Sequence, residues 1–164
     1  IDFTPGAWAT STLFGTTMPV DFEVTGEMPA DLPAVESNVT LGLGEMVIEI
    51  DEGEFVAGDN IITIINHGVQ IHFVEFASVP DGTTLEMVEA TMDSFMTGTP
   101  PAGDALNEED LIPIAYMPDI SGSVQQTLPL HLEAGTYFLT CWVPDMETGM
   151  PHAMMGMWTL VTIE

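Results

Sequence analysis

The chain has 164 residues, 46% of them hydrophobic, which is enough apolar material for one domain with a closed core and excludes a chain that stays disordered. It holds no Lys or Arg against 26 Asp and Glu, a formal net charge of −26 with His neutral. That balance excludes Lys or Arg salt bridges, nucleic acid and anionic membrane surfaces as partners, and predicts that any protein partner presents a basic patch.

In chain order, residues 1–37 carry Pro5, Pro19, Pro29 and Pro33 with Gly6, Gly15 and Gly26, which break every apolar run. This segment reads as an extended arm, able to serve as an interaction strand or a route to oligomers, ahead of one domain over residues 38–164. No basic-then-apolar leader opens the sequence, so any signal peptide is expected to have been removed or never to have been part of this chain. Val39, Leu41 and Leu43 alternate with Thr40 and Gly42, and Met46, Ile48 and Ile50 with Val47 and Glu49, predicting two strands. Residues 60–66 are rich in Ile and Thr and end at Asn66-His67-Gly68. A further strand is predicted over 70–77, with Ile71 and Phe73 on one face and His72, Val74 and Phe76 on the other. Thr83 or Thr84 can cap a helix whose apolar stripe is Leu85, Val88, Met92 and Phe95, so one helix is predicted around 84–96, with Met87, Met92 and Met96 as packing residues. A Gly/Pro loop over 97–104 and a short acidic segment at 107–110 follow. Strands resume at 123–132, 135–143 and 158–164. About seven short strands and one helical excursion indicate an all-β sandwich or barrel. The longest apolar runs fall well short of the about 18 residues of a membrane helix.

The single cysteine, Cys141, cannot close an internal disulfide. Its surroundings matter more: Cys141-x10-His152-x4-Met157 puts a thiol, an imidazole and a thioether in one loop, and His72 lies upstream on a predicted strand. Two His and one Cys with a weak axial Met are the ligands of a blue-copper site, where soft sulfur suits Cu(I) and imidazole tolerates both oxidation states. Met154 and Met155 compete with Met157 for the axial role, and the spacing to the last strand favours Met157. His67 and His131 read as turn and strand-end residues. Trp142 and Trp158 read as packing residues that could also shield a metal. Met146, Met150, Met154, Met155 and Met157 cluster in sequence, and thioethers bind Cu(I).

Gly135-x-Tyr137-x-x-x-Cys141, followed by a loop with His and Met and a terminal strand, resembles the cupredoxin family. The run Asn66-His67-Gly68-Val69-Gln70-Ile71-His72 is similar to that family's first-ligand segment. The resemblance covers about residues 39–164 and implies a Greek-key β-sandwich binding one copper ion through His72, Cys141, His152 and Met157. It further implies single-electron transfer outside the cytoplasm, in a secreted or periplasmic protein whose redox partner carries a basic patch, with His152 reaching the surface as the electron's exit. The Cys-to-His loop, with ten intervening residues, is longer than in the small carriers. Cys141 has no His beside it, so the bridge to a second copper centre is missing, and neither a nucleophile–base pair nor a second metal site points to an enzyme. Two rival readings are a copper-trafficking protein using the Met-rich loop and a metal-free structural or assembly module.

Overall fold

The computed structural model describes residues 6–10, 20–27, 35–100, 103 and 105–164. They fall into two units, one within residues 1–35 and one over 36–164. In the first, strand β1 (Gly6–Thr10) pairs antiparallel with β2 (Val20–Val24), so the segment read as an irregular arm holds a small sheet. The alternation Val20-Asp21-Phe22-Glu23-Val24 is the signal for it, obscured by Pro19 directly ahead. Pro5, Gly15, Pro19, Pro29 and Pro33 lie outside the described residues.

The second unit is a sandwich of two four-stranded sheets. One sheet has the order β4 (Val47–Gly53), β3 (Val39–Gly44), β5 (Gly58–Asn66), β8 (Gln125–Leu132); the other runs β10 (Trp158–Ile163), β9 (Gly135–Thr140), β6 (Glu75–Val79), β7 (Ile112–Tyr116). Val39, Leu41, Ile62 and Ile64 from the first sheet meet Phe76, Leu139 and Ile163 from the second in one buried cluster. The outer face of the second sheet is covered as well. Helix α1 (Leu85–Thr97) lays Val88 and Met92 against Val79 and Phe138. With apolar layers on both sides, β9 is buried from Thr136 to Thr140, which is why it reads as an unbroken run rather than an alternation.

Local chemistry accounts for the ends of these elements. Thr84 caps α1 by accepting the Met87 amide, and Gly98 ends it in the left-handed region at φ 65°. The buried stripe is Val88, Thr91 and Met92, whereas Leu85, expected on it, faces outward and Phe95, also expected on it, lies at its margin against Trp142; Thr91 is drawn in because its hydroxyl bonds the Met87 carbonyl and the Leu106 amide. Tyr137 donates its hydroxyl to the Glu133 carbonyl at 2.9 Å, closing the corner that leads into β9. Strand β7 was not anticipated, because Pro113 interrupts its sequence; it lies at a sheet edge, as does β8 with Pro129, the positions where a missing N–H costs no ladder bond.

Candidate metal centre

The first candidate ligand is positioned by a buried asparagine. Asn66, at the end of β5, donates through its side-chain amide to the carbonyls of Gln70 at 2.8 Å and Ile120 at 3.0 Å, and accepts the Gly68 amide at 2.9 Å. The Gln70 carbonyl is thereby taken by a side chain instead of a neighbouring strand. The strand expected over 70–77 consequently begins only at Glu75, and His72 sits ahead of it in an isolated bridge to Ile120. Gly122 lets that bridge form: a Cβ there would come within 2.6 Å of the Gly68 carbonyl oxygen.

The other two candidates lie on the loop after β9. Cys141 follows the last residue of the strand, and its amide bonds the Met157 carbonyl at 3.2 Å while its carbonyl accepts the Ala153 amide at 2.6 Å. The His152 amide bonds the Val143 carbonyl at 2.8 Å, and Pro144 bridges Pro151. The ten-residue spacing is thus a closed excursion. Its tip is tied by Asp145, whose Oδ1 accepts from the Glu147 and Thr148 amides and the Thr148 hydroxyl.

These two scaffolds bring His72, Cys141 and His152 together, all three buried. The two Nδ1 atoms are 3.1 Å apart, and Cys141 Sγ lies 3.9 Å from Nδ1 of His72 and 3.6 Å from Nδ1 of His152. A point in the plane of this triangle lies about 2.0 Å from both nitrogens and about 2.2 Å from sulfur, close to the lengths of metal–imidazole and metal–thiolate bonds. The three donors therefore fit one metal ion in a near-trigonal arrangement. Their electrostatics agree. Burial lowers the pKa of both imidazoles, for His72 with the second ring adding to the effect, so both stay neutral and keep lone pairs for a cation. Burial raises the Cys141 thiol, opposed by N–H groups of Phe73 and Val143 that point at the sulfur. A bound cation would overturn that balance and hold the thiolate.

His152 was expected at the surface; it has no exposed area. Gln70 covers it. The side-chain amide of Gln70 donates to Asp145 Oδ2 at 2.9 Å, its carbonyl accepts the Met146 amide at 3.0 Å, and the same oxygen lies 3.4 Å from His152 Nε2. This orientation calls for a proton on Nε2 and leaves Nδ1 free to face the centre. We expect Gln70→Ala to uncover His152 and let small exogenous ligands such as imidazole or thiocyanate reach a bound metal, read as an optical titration that saturates in the variant and not in the wild type. The cover also has a pH limit. The Asp145 carboxyl is held down to about 2 from its ordinary 3.8, first by Gln70 and then by Thr148, so its contribution is complete above the ordinary value and is lost as the pH falls toward about 2.

Met157 is fully buried and packs in the same cluster as Cys141. Its amide bonds the His152 carbonyl at 3.0 Å and its carbonyl accepts the Cys141 amide at 3.2 Å, so its backbone is tied to two of the three donor residues. Its rivals are elsewhere: Met154 packs in the cluster under α1 and Met155 is exposed. Met146, 81% exposed, and Met150 also face outward, so the five loop methionines do not converge. His67 pairs on the surface with Asp51 at 2.7 Å, and His131 sits between Asp59 at 2.7 Å and Glu133 at 3.1 Å. Trp142 meets Phe95 and Trp158 meets Phe138 under the helix, so both are packing residues of that layer. Sequence reasoning passed over Gln70 and Asp145, since no motif marks one amide or one carboxylate among many.

The two-sheet sandwich thus holds a buried His–Cys–His triangle beside the loop that follows β9, a donor set that suits one transition-metal ion. No family model matches the sequence, and no curated protein does. Among solved structures the chain is similar to auracyanin from Roseiflexus castenholzii, at 18% identity over 76% of this chain and 94% of that one with a TM-score of 0.45. It is also similar to rusticyanin from Thiobacillus ferrooxidans, at 16% identity over 77% and 75% with a TM-score of 0.44, and to auracyanin A, a blue copper protein from Chloroflexus aurantiacus, at 21% identity over 77% and 98% with a TM-score of 0.38.

Proposed function

We propose that this protein is a single-electron carrier that holds one copper ion through His72, Cys141 and His152, with Met157 as the axial thioether, and that it works outside the cytoplasm. The observation that carries the reading is the buried triangle of two imidazole nitrogens and one thiol with sides of 3.1, 3.6 and 3.9 Å. Copper bound there supplies a one-electron couple. The chain's own part is to keep the donors in place. His72 is fixed through Asn66 and Ile120, and Cys141 and His152 through backbone bonds across one closed loop. Because the donors are set by a packed sandwich, little has to move when the charge of the centre changes, and that favours fast transfer. The electron's way in or out runs through the Gln70 cover to the partner, which the net charge of −26 matches to a basic surface.

The test is voltammetry of the copper-loaded protein. A reversible one-electron wave with one copper per chain is expected, and copper uptake without any reversible wave would refute the carrier reading. Met157→Leu separates the axial residue from its neighbours. The variant is expected to keep its thiolate-to-copper absorption while its reduction potential rises, because loss of the thioether removes a donor and axial ligation tunes the potential. Met155→Leu, altering an exposed side chain, is expected to change neither.

A further inference from the structure

The two imidazoles differ on their outer sides. His152 Nε2 faces the Gln70 carbonyl. His72 Nε2 is buried and has no hydrogen-bond partner among the described residues. Since Nδ1 of His72 faces the metal centre, Nε2 carries the ring's proton, and a buried N–H without an acceptor is unfavourable. The nearest charged group is Glu45, with Oε1 at 4.0 Å.

That carboxylate is held there. Glu45 and Met46 form the two-residue turn between β3 and β4, with Met46 in the left-handed region at φ 62°. Oε1 of Glu45 accepts the amides of Val69 at 2.6 Å and Gln70 at 3.1 Å. The space it fills exists because residue 68 is glycine: a Cβ on Gly68 would lie 2.5 Å from Glu45 Oε1 and 2.7 Å from Oε2. An anchored carboxylate, a cavity shaped for it and an orphaned imidazole nitrogen therefore meet at one place.

We propose that Glu45 is a positioning residue for His72, accepting a hydrogen bond from Nε2–H when metal is bound and setting a negative charge against the centre. Metal ligation withdraws electron density from the ring and makes its remaining N–H a stronger donor, so the 4.0 Å gap closes to a hydrogen bond. Outer partners of this kind orient a ligating imidazole and raise its basicity. The negative charge also favours the more highly charged oxidation state and lowers the reduction potential. This inference rests on the copper reading above.

The experiment compares wild type, Glu45→Gln, Glu45→Ala, Gly68→Ala and, as a change of equal charge at an exposed position, Glu86→Gln in the first turn of α1. Each is loaded with Cu(I), which is diamagnetic, and the His72 Nε2–H signal is followed by proton–nitrogen NMR; potentials are measured on the same samples. Wild type should show a downfield, slowly exchanging Nε2–H. Glu45→Gln, which keeps an acceptor and loses the charge, should retain that signal while the preference for Cu(II) over Cu(I) falls about tenfold, which for a one-electron couple is a rise of about 59 mV. In Glu45→Ala the signal should move upfield or exchange rapidly, with copper affinity lower by about 10–100-fold. Gly68→Ala, which crowds the carboxylate and alters no charge, should move the NMR signal in the same direction as Glu45→Ala. The proposal is overturned if the His72 signal in Glu45→Ala matches wild type, or if Glu86→Gln shifts the potential as much as Glu45→Gln. If wild type takes up copper with its thiolate absorption and the Glu45 variants are indistinguishable from it, the Glu45 role alone fails. If wild type binds no copper, the metal reading fails and this inference with it.

Discussion

Cys141→Ser is expected to abolish the intense visible absorption of the Cu(II)-loaded protein and to weaken copper binding by more than about 100-fold. The band requires charge transfer from a thiolate to the metal, and the chain has a single cysteine, so no other side chain can supply it. The affinity loss exceeds the about 10–100-fold that follows from changing an outer partner of a metal ligand, because an inner donor is removed. A serine hydroxyl is harder, and it stays protonated where a coordinated thiol does not. Folding survives the change. The side chains are similar in size, and the N–H groups of Phe73 and Val143 that point at sulfur can bond the hydroxyl oxygen. The measurement is an optical titration with Cu(II) beside circular dichroism of the metal-free variant. A band of undiminished intensity in folded Cys141→Ser would remove the thiolate from the site.

The metal-free protein is expected to unfold at a temperature that rises steeply with salt. With a net charge of −26 and no Lys or Arg, the only side-chain cations available are four His, and two of them, His72 and His152, are buried and held neutral. The carboxylates repel one another across a small domain, and folding brings them closer together. Raising NaCl from about 0.01 M to about 1 M shortens the screening length from about 30 Å to about 3 Å. A relief of about 3 kcal/mol, or about 10 °C in midpoint for a chain of this size, is the expected result. Most of the rise should fall below about 0.2 M, where the screening length drops to below about 10 Å. Sucrose, which strengthens burial without screening charge, separates the two effects. A midpoint that stays flat over the low-salt range while responding to sucrose would show that self-repulsion is not what limits stability.

The candidate site divides in two according to how far apart its parts lie in the chain. Cys141, His152 and Met157 belong to one loop whose closure is local: Val143 pairs with His152 and Pro144 with Pro151. Donor chemistry at fixed spacing was therefore legible from residue types alone. His72 is 69 residues from Cys141. No local spacing ties it to the loop, and the isolated bridge that replaces the expected strand depends on Asn66 reaching Ile120 across 54 residues. Strand β7 was hidden by Pro113, whose edge position no sequence pattern reveals. The helix was legible in position and cap, but its buried stripe was misassigned by two residues because a hydroxyl bond to Leu106, 15 residues away, draws Thr91 inward.

By itself the sequence determined the class of fold, the chemistry of the donors and the extreme surface charge, because alternation, residue type and composition are properties of the chain before it folds. Tertiary structure decided the rest: that His152 is shut away from solvent, that Gln70 and Asp145 close over it, and that one carboxylate out of 26 acidic residues, Glu45, is set against the outer nitrogen of His72. Burial and long-range juxtaposition depend on which surfaces the packed sheets bring together, and no local run of residues carries that information.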